Sequence, residues 1–251
     1  MRLTRENVPA YYQVFLETDH KWEIIKYFLR RILGNRSLFD EDVKIIDGPY
    51  VFNCGRSIEN CKVACSAFEK EFEKELHIER GIFVDIGAHI GKWTVKVGKK
   101  IGDKGKVIAI EADKQNGVLL DENMLLNKIE NSEVWHVACS DTNGSIKFFN
   151  DEHHPARNST LFSAGEKGYT VKAKTLDSII RGRKVDLIKI DVEGAENLVL
   201  MGGIKTLKRS KPRILFEAWN EDYLKLVLKV ILPLGYKIRR IGRENYVATI
   251  K

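Results

Sequence analysis

Cysteine is scarce in this chain. Four thiols (Cys54, Cys61, Cys65 and Cys139) in 251 residues are too few to staple a fold of this length, and no C-x-x-C spacing of a zinc site occurs among them. Long apolar runs are missing as well. The most apolar late segment, LKLVLKVILPLG, is too short to span a bilayer and carries Lys225 and Lys229. The N-terminal MRLTRENVPAYYQVF has no apolar stretch followed by a small-residue cleavage site, so no signal peptide is expected and a cytoplasmic, reducing location is the default. No internal repeat or low-complexity tract occurs. Net charge is +7 without any run of five basic residues. That balance suits an anionic partner such as RNA, and equally a solvated lysine-rich surface.

What is present is an ordinary globular composition, 43% apolar and 31% charged. Residues 1–80 read as a mainly helical extension with a short hairpin, and residues 81–251 as the main domain. In the extension, Trp22, Ile25, Leu29 and Ile32 fall at helical spacing. VKIIDGPYVFN predicts a hairpin about Asp47-Gly48-Pro49. From Ile58 onward, Cys61, Cys65, Phe68, Phe72 and Leu76 predict one face of a single helix, with its thiols buried rather than metal-bound. One role open to the extension is substrate selection.

From Gly81 the pattern alternates. IFVDIG, KVIAIEA, SEVWHVAC, DLIKIDVEG and RILFEAW predict buried strands. Helical stretches follow at 92–101, 114–129, 195–207 and 221–232. YKIRRIGRENYVATI predicts a closing antiparallel pair. This order implies an α/β fold with a mixed sheet and helices on both faces. Between residues 140 and 187, GSIKFFN and YTVKAKTLDSII predict strands flanking a polar loop that holds His153 and His154.

The chemistry concentrates in VDIGAHIGKW. Asp85 ends a strand, and Gly87 and Gly91 permit close backbone approach where the turn enters a helix, an N-terminus that favours polar ligands. The dinucleotide pattern G-x-G-x-x-G fails here, and so does the G-K-[ST] of a phosphate loop. An acid and two glycines without a pyrophosphate cradle suit a ligand with an amino-acid part and a nucleoside but no phosphate, S-adenosyl-L-methionine. Glu111, at the tip of the next strand, is placed to accept hydrogen bonds from ribose hydroxyls. The plainer alternative is that Asp85 and Glu111 only cap helices.

FVDIGAHIGKWTV, VIAIEAD, NSTLF, TLDSI and DLIKIDVEGAE occur in the order and spacing of the FkbM-type methyltransferases, which the sequence resembles over residues 81–251. The resemblance implies the seven-stranded class I methyltransferase sheet, Rossmann-like, with S-adenosyl-L-methionine as cofactor. It implies that Asp85, Gly87, Gly91 and Thr94 hold the methionine part, that Glu111 holds the ribose and that Ala138 lies near the adenine. His89 stands where the family usually has Asn, a replacement that adds a titratable ring to the cofactor wall.

Methyl transfer is an in-line displacement that needs alignment above all, with a general base where the acceptor is a hydroxyl. Asp191 and Glu193 in KIDVEGAE are the candidate base or substrate anchor. Strand parity aims both to one side, with Lys189 able to pair with them. The alternative is that Glu193 and Glu196 merely favour the N-terminus of the next helix. His154 is a further candidate, against a solvated loop pair with His153. Glu217 faces the same sheet edge; a metal held by Asp191, Glu193 and Glu217 is the lesser alternative, and no metal site is expected. Pro-Pro is absent, which counts against amino-group methylation of nucleic-acid bases, and Cys139 lacks the setting of a C5-methylation nucleophile. Relatives in this resemblance mostly methylate hydroxyls, so a sugar or small-metabolite acceptor is expected. RNA or protein lysine is the alternative acceptor, and a non-catalytic cofactor-binding scaffold is the other.

Overall fold

Two amphipathic segments begin the described chain, α1 (Val8–Leu16) and α2 (Lys21–Ile32). The computed structural model describes residues 8–32, 39–149 and 168–250. In α2 the stripe that the spacing predicts is not the buried one. Trp22 is 73% and Leu29 55% exposed, whereas Ile24 is buried. The aromatics decide the rotation: Phe28 packs edge-on against Tyr11 at 5.3 Å and Tyr27 tilts against Phe39 at 5.5 Å.

The predicted hairpin is present as β1 (Lys44–Asp47) and β2 (Tyr50–Asn53), paired antiparallel. The predicted cysteine helix is broken into α3 (Ile58–Ala64) and α4 (Lys70–Glu75). Glu69, in the left-handed region at φ 53°, interrupts it. The two pieces pack in different parts of the core, Cys61 and Cys65 with Ile90 and Val95, Phe72 and Leu76 with Phe83 and Trp93. All four cysteines are free and buried.

The main sheet is built from β3 (Gly81–Ile86), β4 (Gly105–Ile110) and β5 (Ser132–Trp135), followed by a small sheet of β6 (Ala138–Ser140), β7 (Gly144–Phe149) and β8 (Gly168–Thr175). Then come β9 (Leu187–Ile190), β10 (Arg213–Glu217), β11 (Lys237–Arg240) and β12 (Asn245–Thr249), which complete a seven-stranded sheet in the order β11-β12-β10-β9-β3-β4-β5. Its core strands are parallel, and β12 is antiparallel to both neighbours.

The predicted strand SEVWHVAC leaves this sheet after Trp135, because Ala138–Ser140 pairs in parallel with β8. Ala138 therefore sits in the small sheet and does not end the third strand. TLDSI is not strand either. Thr175 caps α7 (Leu176–Ile180) by accepting from Ser178 N at 3.2 Å. The helices α5 (Lys92–Ile101) and α6 (Lys114–Leu126) appear as expected. The predicted helix 195–207 is split into α8 (Glu196–Met201) and α9 (Ile204–Ser210) at Gly202, where a Cβ would lie 2.0 Å from Ser140 O. The last helix is α10 (Glu221–Ile231).

Side-chain alternation along the strands sorts the core into two faces. Val84, Ile86, Ile188, Ile190, Ile214 and Phe216 pack under α7 to α10. Phe83, Val107, Leu187 and Leu215 face α4 and α5. The extension shares a core with the domain, since Val43, Phe52 and Cys61 cluster with Ile90, Val95 and Leu120. Two amides of α6 fasten the hairpin. Asn123 bonds both N and O of Asn53, and Asn127 bonds both N and O of Val51, at 2.6 to 3.0 Å.

Candidate active site

A cleft, open at its mouth, lies at the carboxyl ends of β3, β4 and β9, where ligands bind open α/β sheets. Its floor is the turn after β3. Gly87 (φ 75°) is enforced there, because a Cβ would fall 1.8 Å from Asp191 O. His89 follows in the left-handed region at φ 53°, and its N–H donates to Glu111 Oε2 at 2.7 Å. Both ring nitrogens of His89 are buried without a hydrogen-bond partner. Burial lowers its pKa to about 4, so the ring is neutral at physiological pH.

Glu111 Oε1 accepts from Asp113 N at 2.8 Å. Both of its oxygens thus take a backbone N–H, neither from the first turn of a helix, since Asp113 is the cap of α6, and each keeps a second lone pair for a ligand. Burial raises its pKa to about 7.

The sheet face toward α4 and α5 carries charge where apolar side chains run out. Asp85 on β3 and Lys189 on β9 are register partners and are 1% and 3% exposed. Asp85 Oδ2 accepts from Thr94 Oγ1 at 2.7 Å, while Oδ1 has no partner. Burial raises the Asp85 pKa, against the pull of the Lys189 charge. Lys189 Nζ lies 2.9 Å from Asp191 Oδ2, the ion pair that strand parity predicts. Burial works against the Lys189 charge, but the carboxylates of Asp191, Glu69 and Asp85 outweigh it and hold its pKa above the usual value.

The expected site residues divide. Gly87, His89, Glu111, Ala138, Asp191 and Glu193 line the cleft. Asp85, Gly91 and Thr94 stand behind the turn and orient it, since they are not on the lining. β9 ends at Ile190, and Glu193 reaches the cleft from a left-handed turn at φ 55°, so strand parity does not explain its direction. Glu196 makes that turn, accepting from Val192 N and Gly194 N at 3.1 and 3.2 Å. His154, with His153 and NSTLF, lies outside the described residues.

Two further features bear on the site, the first of them the grouping weighed above as the lesser alternative. Oxygens of Asp191, Glu193 and Glu217 lie within 4.8 Å of one another, a grouping able to hold a metal ion. Burial, then the charges of Asp191 and Glu193, raises the Glu217 pKa to about 10, so a proton on Glu217 relieves the same repulsion. The extension also contributes to the wall through Val63, Phe68 and Glu69. Glu69 Oε2 accepts from Trp93 Nε1 at 2.7 Å. Buried Lys92 donates to Cys65 O and Phe68 O, both at 2.7 Å. The 65–69 segment is thereby tied to the first turn of α5.

The family model of the methyltransferase FkbM domain matches residues 85–238. The chain belongs to the FkbM methyltransferase family. Among solved structures it is similar to methyltransferase FkbM from Methylobacillus flagellatus KT, with TM-score 0.51 and 16% identity, over 97% of this chain and 59% of that one. It therefore spans only part of that relative's length. The ribosomal protein L11 methylase of Lactobacillus delbrueckii subsp. bulgaricus gives TM-score 0.49 and 13% identity, covering 80% of this chain and 83% of that chain. A putative rRNA methylase from Clostridium thermocellum gives 0.48 and 9%, covering 73% and 94%. No curated protein matches the chain in sequence. The FkbM domain here has the class I methyltransferase fold with its mixed seven-stranded sheet. Among the described residues, no helix is long and apolar enough to cross a membrane.

Proposed function

We propose that this FkbM methyltransferase uses S-adenosyl-L-methionine and methylates a hydroxyl of a sugar or small metabolite. The cleft fits that cofactor on its own chemistry. The Gly87 floor leaves no room for a side chain, and the His89 ring nitrogens are buried polar atoms of the lining without partners. In this reading Gly87 and His89 bound the methionine part, with Asp85, Gly91 and Thr94 shaping the turn behind them. Glu111 accepts from the ribose hydroxyls and Ala138 borders the adenine. Bound there, the cofactor supplies an electrophilic methyl group on a sulfonium.

The observation that carries the acceptor class is the pair of carboxylates, Asp191 and Glu193, on the lining beside the Gly87 turn. With the cofactor bound, Glu193 would hold the acceptor hydroxyl and take its proton as the methyl group is transferred to that oxygen. Asp191, held at 2.9 Å by Lys189, anchors the acceptor.

Two measurements test this. S-adenosylhomocysteine should raise the melting temperature, whereas NAD and ATP should not; no shift would remove the cofactor assignment. Methyl-labelled S-adenosylmethionine added to a cell extract should label the small-molecule fraction rather than RNA or protein. Glu193→Gln should keep S-adenosylhomocysteine affinity and lose about 100-fold or more of that transfer.

A further inference from the structure

The extension reaches the cleft with one charged side chain. Glu69 lies on the same lining as Asp191 and Glu193, and it is pinned from two sides. Trp93 Nε1 holds its Oε2 at 2.7 Å, and Lys92 clamps the two carbonyls just before it, Cys65 O and Phe68 O. The backbone at Glu69 is left-handed, φ 53°, a conformation a non-glycine residue keeps only when its surroundings impose it.

Each cation or indole nearby has an acceptor within the chain. Lys189 Nζ is on Asp191 Oδ2, Lys92 Nζ on two carbonyls and Trp93 Nε1 on Glu69 itself. Against these two ammonium groups the lining sets three carboxylates, Glu69, Asp191 and Glu193, whose oxygens only accept hydrogen bonds when ionised. A separate observation points to a ligand in the same cleft: the two buried, unpartnered ring nitrogens of His89.

From this we infer that Glu69 is an acceptor-binding residue, supplied by the extension to select molecules that present hydroxyl or ammonium hydrogens beside the methyl group and to reject those with a phosphate there. This rests on the methyltransferase reading of the cleft. The physical basis is Coulombic. Carboxylates a few ångströms from a ligand favour a positive or hydrogen-donating group and repel an anion, in a setting drier than bulk water.

The test needs no knowledge of the acceptor. Sinefungin carries an ammonium group where S-adenosylmethionine carries its S-methyl, so it places a donor cation at the reacting position. S-adenosylhomocysteine has a neutral sulfur there. Calorimetry of the full chain and of Glu69→Gln with both ligands separates a wall effect from loss of the fold, since Gln can still accept from Trp93 Nε1. The expected result is that Glu69→Gln weakens sinefungin about tenfold and leaves S-adenosylhomocysteine within about twofold. Equal loss of both ligands, or no loss of either, overturns the role of Glu69. Failure of the wild-type chain to bind S-adenosylhomocysteine overturns the cofactor reading, and this inference with it. As a second arm, glucosamine but not glucose 6-phosphate should further stabilise the S-adenosylhomocysteine complex. Stabilisation by the phosphate ester alone would overturn the selection of donors.

Discussion

Gly87 is the residue on which the cleft depends most directly. A methyl group there meets Asp191 O at 1.8 Å, and the backbone at φ 75° disfavours any side chain. Gly87→Ala should cost about 1–3 kcal/mol in strain alone, seen as a lower urea midpoint, and should abolish the S-adenosylhomocysteine thermal shift. Glu111 makes a pH prediction. Burial raises its pKa from 4.5 to about 7. Its folded value lies above its unfolded one, so the associated stability is present below 4.5 and is lost as pH rises through about 7. Cofactor affinity should run the other way, because the ionised carboxylate is the better acceptor for ribose hydroxyls. Calorimetry should show S-adenosylhomocysteine affinity rising about tenfold from pH 6 to pH 8, the change in ionised fraction across a pKa near 7. Glu111→Gln should flatten the profile. His89, lowered to about 4, stays neutral across that window and does not contribute.

At the level of elements, the strands were legible because their apolar periodicity is a local property, and the buried runs of β3, β4, β9 and β10 announce themselves. Breaks were not legible. Gly202 splits α8 from α9 because Ser140 O approaches it, and Ala138 leaves the main sheet for a partner some 35 residues on, at Ala173. Both causes are non-local, and so is the rotation of α2 by Tyr11 and Phe39. Within the site, the glycine turn, Glu111 and the Lys189–Asp191 pair could be read from spacing and strand parity. Glu69 could not, because the break before α4 that aims it at the cleft is set by contacts with α5. Lys92 is the contact to probe. Lys92→Met leaves the carbonyls of Cys65 and Phe68 without a donor, at a cost of about 2–3 kcal/mol. Hydrogen exchange should quicken across 58–76 while the amides of β9 and β10 remain protected.

For the whole molecule, the division at residue 80 is one of sequence pattern, and the packing runs straight across it. Val43, Phe52 and Cys61 share a core with Ile90, Val95 and Leu120. A chain cut to residues 81–251 should therefore lose the cooperative thermal transition that the full chain shows, or fail to remain soluble. The Asn123 and Asn127 amides carry a different consequence. A two-stranded hairpin has an outer edge whose N–H and C=O groups are ready to recruit another strand. Here the helix imitates that missing strand: two side-chain amides, one helical turn apart, occupy the donors and acceptors of Val51 and Asn53. The β2 edge is closed to strand addition without spending a third strand on it, and a place where two copies could stitch together is turned into part of one chain's own packing.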